Sequence, residues 1–435
     1  MPGKGINGRA NMQKFQMNSK KYGGNPFKYA SLVSSVGRAS KGGMWNSIQS
    51  RTAATTTAPA PSGATSLTAN PSWNQIGGDI DGEAGGDLSG WSVSLSSDGT
   101  KLAIGAPKAA TNERGRVRVY EYDATNGWVV LGGDIDGVTD GDWSGASISL
   151  SGDGSIIAIG APETYGLQKG IVRIYESSGT GALTVWTNIG IIDGPGSSDE
   201  WGWEVSLSND GSRIAFASSV ASSQSGLVRV YERSTSTSSI WNQLGDELIG
   251  EAGGDLSGWS VSLNSDGSIV AISAVLNSDG SGFQTGHVRV YQYDATKIAV
   301  QPNQSLPNFG PIGWNRLGVD IDGEALNDYS GSAVSLSSDG LTVAIGAYGA
   351  GTNSGHVRVY QYDATKIAAQ PNQSLPNFGP SGWNRLGVDI DGEALNDYSG
   401  GAVSLSSDGL TVAIGAYGNA DAGTNSGHVR VYELK

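Results

Sequence analysis

From Trp73 to Lys435 the chain states one pattern six times. The first copy reads Trp73-Asn-Gln-Ile-Gly, Asp79-Ile-Asp-Gly, Asp87-Leu-Ser-Gly-Trp-Ser-Val-Ser-Leu, Ser97-Asp-Gly, Leu102-Ala-Ile-Gly-Ala-Pro and Gly115-Arg-Val-Arg-Val-Tyr. Later copies start at Trp128, Trp186, Trp241, Trp314 and Trp383. A unit of about 50 residues with four short strand-like runs cannot bury a core alone, and stacks as one blade of a β-propeller.

Each run has a strand signature. Ser92-Val-Ser-Leu alternates small polar with apolar residues, the period of a strand with one buried face. Leu102-Ala-Ile-Gly-Ala is continuous and apolar, suited to burial on both faces. Val117-Arg-Val-Tyr and Trp128-Val-Val-Leu supply the third and fourth strands. Between the first two stands Asp98-Gly99, repeated at 153, 210, 266, 339 and 408. The expectation is a two-residue hairpin turn with positive φ at both positions.

The phase of the repeat bears on closure. The pattern opens with a fourth strand at Trp73 and ends with a third strand up to Tyr432. The expected fold is thus an all-β, six-bladed β-propeller of four-stranded blades. Residues 73–77 should pair beside Val429 and Val431 to shut the ring. Units four and five carry nearly identical Pro-rich insertions starting at Asp294 and Asp363, read as exposed loops at the blade edge.

Charge divides the chain. Residues 1–72 hold nine Lys and Arg and no acid, which leaves 18 bases against 41 acids in the remainder of a chain of net charge −14. This predicts three segments: a basic flexible arm (1–51), a Thr/Ala/Pro-rich linker (52–72) and the propeller (73–435). The arm lacks a secretory apolar core, and its composition overlaps with organellar transit peptides. No apolar run approaches the ~20 residues of a membrane span. No reader fold for sequence-specific nucleic acid accompanies the basic charge. With no cysteine, disulfides and thiolate metal sites are excluded.

Ser-Gly-Trp-Ser-Val-Ser-Leu, Ala-Ile-Gly-Ala-Pro and Gly-Arg-Val-Arg-Val-Tyr together resemble the FG-GAP repeat of integrin α-subunit-like propellers, over all of the chain beyond the arm. Similar units occur in marine-microbial and giant-virus proteins. The Gly-Ala-Pro element is intact at 105–107 and 160–162 and becomes Gly-Ala-Tyr at 346–348 and 415–417. The resemblance implies Ca²⁺ in a loop between the first two strands. Here that loop is only Ser-Ser-Asp-Gly, too few oxygens for the six to eight that Ca²⁺ takes.

A different acidic set recurs in the connection from the outer strand into the next blade. Its members are Asp79, Asp81 and Asp87, then Asp134, Asp136 and Asp142. They recur as Asp320, Asp322 and Asp328, and as Asp389, Asp391 and Asp397. Carboxylates at alternate positions before a Gly turn are candidate Ca²⁺ ligands. The competing reading makes them turn residues and partners for an Arg that recurs in the third strand, at Arg118, Arg173, Arg229, Arg289, Arg358 and Arg430.

Trp91, Trp203 and Trp259 head the first strand in three units. They are either inter-blade packing or a stacking surface for carbohydrate or protein. His287, His356 and His428 share one repeat position with Ile171 and Leu227, which argues against a base or ligand. No catalytic constellation stands out, so the expectation is a non-enzymatic interaction head docked through residues 1–51 into a virion or cell-surface assembly. The alternative is a lectin- or integrin-like binding module, with Ca²⁺ as its cofactor.

Overall fold

Alternation and turn chemistry place four antiparallel strands in blade one: Ser92–Leu95, Lys101–Ala106, Arg116–Asp123 and Gly127–Val130. The computed structural model describes residues 78–162, 169–194, 199–236, 240–278, 284–304, 306, 309–372, 375, 378–420 and 427–434. They build an all-β, six-bladed propeller of antiparallel blades. In blade six the described strands are Ser399–Leu405, Thr411–Ala416 and His428–Glu433. The expected closing strand at 73–77, the arm and the linker lie outside the described residues. Among the described residues no helix is long and apolar enough to cross a membrane.

Two ladders link neighbouring blades around the ring. The Ser94 hydroxyl accepts the Leu150 amide at 3.0 Å, and Ser149, Ser206, Ser262 and Ser335 repeat the bond to Leu207, Leu263, Leu336 and Leu405. A second series joins the hairpins, beginning with the Ser97 amide on the Gly152 carbonyl at 2.7 Å and ending with Ser338 on Ser407. The polar half of Ser-Val-Ser-Leu therefore hydrogen-bonds between blades, while Val and Leu fill the layers between them.

Each core layer is shared by two blades. Val117 and Val119 of blade one pack with Ile148, Leu150, Ile157 and Ile159 of blade two. Burying one such side chain contributes about 1.5–3 kcal/mol, so blades are stable only as neighbours. Ala402 of blade six joins Val93, Leu102, Ile104 and Tyr120 of blade one, and the ring shuts there.

In blades two to five the outer-strand Trp pins the blade to the one before it. Trp314 and Trp383 are fully buried, and their indole N–H groups donate to the Leu244 and Leu317 carbonyls at 3.1 Å. The ring lies on a glycine: a Cβ on Gly318 would meet Trp383 Nε1 at 2.4 Å, and Gly318 has φ +65°. Only glycine meets both demands.

The hairpins correct the expected two-residue turn. Gly99 has φ +70°, but none of the six aspartates before these glycines has positive φ. The strands end at Leu95 and resume at Lys101, so the connection is longer. Asp98 acts through its carboxylate, which accepts the Ser96 hydroxyl at 2.7 Å, the Thr100 amide at 3.0 Å and the Thr100 hydroxyl at 2.8 Å. These bonds, the Ser96 hydroxyl foremost, lower its pKa to about 2.

Candidate functional site

The acidic positions expected in a loop sit partly on the outer strand itself. In blade one the strand breaks after Val130 and resumes as Ile135–Asp136, which pairs with Val117 and Arg116. Ile321–Asp322 does the same in blade four. In blade five the outer strand runs unbroken as Trp383–Asp391, so both Asp389 and Asp391 are strand residues. The acidic side chains thereby lie beside the third-strand arginines.

Three blades form an Asp–Arg–Glu brace. Arg358 donates from Nε to Asp389 at 2.8 Å and from Nη2 to Asp389 at 2.6 Å and Glu324 at 2.7 Å. Arg289 holds Asp320 at 2.8 and 2.5 Å and also contacts Glu251. In blade one Arg118 holds Asp134 at 2.6 and 2.8 Å and contacts Glu83, while Arg116 takes Asp136 at 2.6 Å. Burial opposes ionisation of Asp320 and Asp389, yet the arginine hydrogen bond and charge outweigh it and hold both carboxyls below their ordinary range.

The other blades vary the theme. Arg229 pairs with Glu247 and Arg430 with Glu393 at 3.4 Å. Blade two has Ile191 where blades one, four and five carry Asp134, Asp320 and Asp389, and there Arg173 reaches the fully buried Asp142 at 3.0 Å. Asp87, Asp328 and Asp397 accept the backbone amides of Ala84, Ala325 and Ala394 three residues earlier, at 3.2, 2.8 and 3.0 Å. Asp142 accepts Val138 and Thr139 in the same way. Asp81 and Asp87 line a cleft with Glu83, Arg116 and Arg118; Asp79 stands two residues before Asp81 in the chain.

In three of these sets the donors close on a guanidinium. Asp134, Asp320 and Asp389 each bond an arginine through both oxygens, where Ca²⁺ would need them as ligands. Glu251, His287 and Asp320 offer ligand atoms within 4.8 Å of one another, but Arg289 stands on both carboxylates. His287 is buried, and desolvation followed by the Arg289 charge lowers its pKa to about 4.

The face that carries the Ser-Gly turns before the inner strands is aromatic. Trp91, Trp203 and Trp259 are half-buried there. Trp203 donates to Glu200 at 2.7 Å, and Trp259 packs against the core layer shared by blades five and six. The three blades without this Trp carry an aromatic three residues earlier, at Trp143, Tyr329 and Tyr398, each with φ of 53–54°. The turns close by amide-to-carbonyl bonds such as Ala146 to Trp143 and Ser332 to Tyr329, both 3.0 Å. Every blade thus places an aromatic ring at this turn, from one of two positions.

In blades five and six these rings join a stack that the sequence reading missed. Tyr329 stacks on Tyr348 at 5.3 Å, Tyr348 meets Tyr398 edge-on at 6.1 Å, and Tyr398 stacks on Tyr417 at 4.9 Å. The signal was present in the change from Gly-Ala-Pro to Gly-Ala-Tyr. Glu204 was also missed. It occupies an inner-strand position held by Ser92, Ser147, Ser260, Ala333 and Ala402 elsewhere, is 4% exposed, and burial raises its pKa well above the ordinary carboxylate value.

No family model matches the chain, and no curated protein does. Among solved structures it is similar to hydrazine synthase of Kuenenia stuttgartiensis, with TM-score 0.44 and 13% identity over 79% of this chain and 83% of that one. The periplasmic gluconolactonase PpgL of Pseudomonas aeruginosa gives 0.43 and 14% over 79% and 88%. Sqt1 of Chaetomium thermophilum gives 0.44 and 15% over 79% and 68%. Similarity at this level carries no argument about activity, and the propeller rests on its own strand pairing.

Proposed function

We propose that this chain is a non-catalytic interaction head, FG-GAP-like in its repeat, that docks through its basic arm into a larger assembly such as a virion or cell-surface layer. The segregation of charge carries the reading: nine bases without an acid in residues 1–72, against 18 bases and 41 acids beyond them. A basic arm joined through a Thr/Ala/Pro-rich segment seeks an acidic partner surface, and the acidic head repels its like. The brace arginines turn much of the acidic set inward to structural work, which leaves the aromatic turns as the contact chemistry of the head.

The test removes residues 1–51 and follows incorporation into the native particle or cell-surface fraction. Loss of incorporation with the head still folded is the expected result; unchanged incorporation refutes the arm as the anchor. A second reading, a lectin- or integrin-like module for a carbohydrate or protein ligand, is favoured by the aromatic ring that each blade brings to one face. On that reading, glycan or partner binding survives loss of the arm and falls on Tyr398→Ala.

A further inference from the structure

Blades five and six carry a second aromatic that the other four blades lack. At the position after the second strand they have Tyr348 and Tyr417, where the others have Pro107, Pro162, Ser219 and Val275. The strand ladder brings each to a partner. Ser330 pairs with Ala347 and Ser399 with Ala416, so the residue before each inner strand meets the residue after each second strand. Tyr329 stacks on Tyr348 with ring planes 22° apart, and Tyr398 stacks on Tyr417 at 4.9 Å with planes only 2° apart.

Neighbouring glycines keep the tighter pair in register. A Cβ on Gly418 would meet Tyr398 Cδ2 at 2.6 Å, and one on Gly401 would meet Tyr417 Cε1 at 2.8 Å. A larger residue at either position would push a ring out of its stack. Tyr348 is 7% exposed, whereas Tyr398 and Tyr417 are half-buried and present part of their surface to solvent.

Two phenols held face to face are set up for one reaction. One-electron oxidation takes an electron and the hydroxyl proton from each ring, and leaves spin on the Cε carbons ortho to the oxygen. A Cε–Cε bond then forms between the two radicals, and each ring regains aromaticity as its Cε hydrogen moves to the oxygen. Two Cε–H bonds are lost and one C–C bond is gained, with two electrons and two protons given up. Hydrogen peroxide, acting through a haem peroxidase, accepts them and is reduced to two waters. Because the rings already touch, this coupling is intramolecular and outruns encounter between chains.

We propose that Tyr398 and Tyr417 form a modification site that peroxide oxidation converts to dityrosine. The bond locks together the two ends of the inner hairpin of blade six. That blade meets blade one where Ala402 joins the layer of Val93, Leu102 and Ile104. In a chain with no cysteine it supplies a covalent staple for the head, independent of what the arm binds. Like a disulfide, the link restricts the unfolded chain and so stabilises the folded one.

The test oxidises the full chain in dilute solution with hydrogen peroxide and a haem peroxidase, at a dose that couples N-acetyltyrosinamide in a parallel tube. Dityrosine fluorescence should appear in a band of monomer mass on a denaturing gel, and mass spectrometry should find the peptides of Tyr398 and Tyr417 linked. The thermal midpoint of the oxidised protein should rise; an unchanged midpoint would overturn the stapling role. Tyr417→Phe keeps the ring and its packing but cannot couple, and should lose most of the fluorescence, while Tyr329→Phe should keep it. A folded wild type that forms no intramolecular link would overturn the proposal. So would a link that survives Tyr417→Phe, or one that joins two chains.

Discussion

Replacing Glu204 with Gln should make the protein more stable, and by an amount that grows with pH. Glu204 is 4% exposed on the inner strand of blade three, and its Oε2 has no hydrogen-bond partner among the described residues. Burial raises its pKa well above the ordinary value; the Val261 amide, which bonds the charged form, pulls the other way and loses. A group whose folded pKa lies above its unfolded one contributes stability that is full below the unfolded value. That contribution is lost as pH rises through the folded value, because the unfolded chain releases the proton first. The slope inside this window is about 1.4 kcal/mol per pH unit for one proton. Gln keeps the shape and the acceptor for Val261 but does not titrate.

Urea unfolding of wild type and E204Q from pH 5 to 9, followed by Trp fluorescence, isolates the effect as a difference. His287 contributes with the opposite sign: its pKa is lowered to about 4, so stability rises with pH between about 4 and 6.5. Both proteins carry that histidine, and it cancels. The expected difference climbs by up to about 1.4 kcal/mol per unit and then levels off at the folded pKa. A difference flat from pH 5 to 9 would show that Glu204 is ionised and satisfied, and the argument from burial would fail.

Two further outcomes test the braces and the buried histidines. Arg358→Met removes a guanidinium that is only 7% exposed, leaving Glu324 without its arginine and Asp389 with Arg385 alone, and should cost about 1.5–3 kcal/mol by chemical denaturation. Arg118→Met, at 21% exposure and with an exposed Glu83, should cost about 1 kcal/mol; equal losses would refute burial as the source of the difference. His287→Leu, which installs the residue blade three has at Leu227, should flatten the fall in thermal midpoint between pH 6.5 and 4.5. A midpoint that still falls as steeply would assign acid sensitivity elsewhere.

The blade architecture was legible because it is written six times in local signals: alternation in Ser92–Leu95, the Asp-Gly pair and the Trp that starts each outer strand. The hairpin was misread because Asp-Gly is shared by two turn families. What separates them is whether Asp takes positive φ or, as Asp98 does, bonds Thr100 through its carboxylate. The Asp–Arg pairs could be named as an option, since both residues recur. Their third member could not, because Glu324 reaches Arg358 across 34 residues of sequence, and no local pattern marks that approach. Glu204 and the tyrosine stack were not legible for a different reason: each departs from the repeat instead of recurring with it.

Those differences separate scaffold from surface. Where a side chain serves packing, the position is held and the residue type varies little, as with Trp314 and Trp383 on their glycines. Where it serves charge balance, the partner moves to compensate, as when Ile191 stands in place of the outer-strand acid and Arg173 turns to Asp142. The aromatics of the Ser-Gly turns obey neither rule. Blades one, three and four supply the ring after the turn; blades two, five and six supply it before, at a position whose φ is positive in all six blades, from Leu88 to Tyr398. A core layer has one volume to fill and would select one position. On the proposed reading of the head as an interaction module, a face that offers an aromatic ring to a partner can take it from either position, and Tyr398→Ala is the variant that tests it.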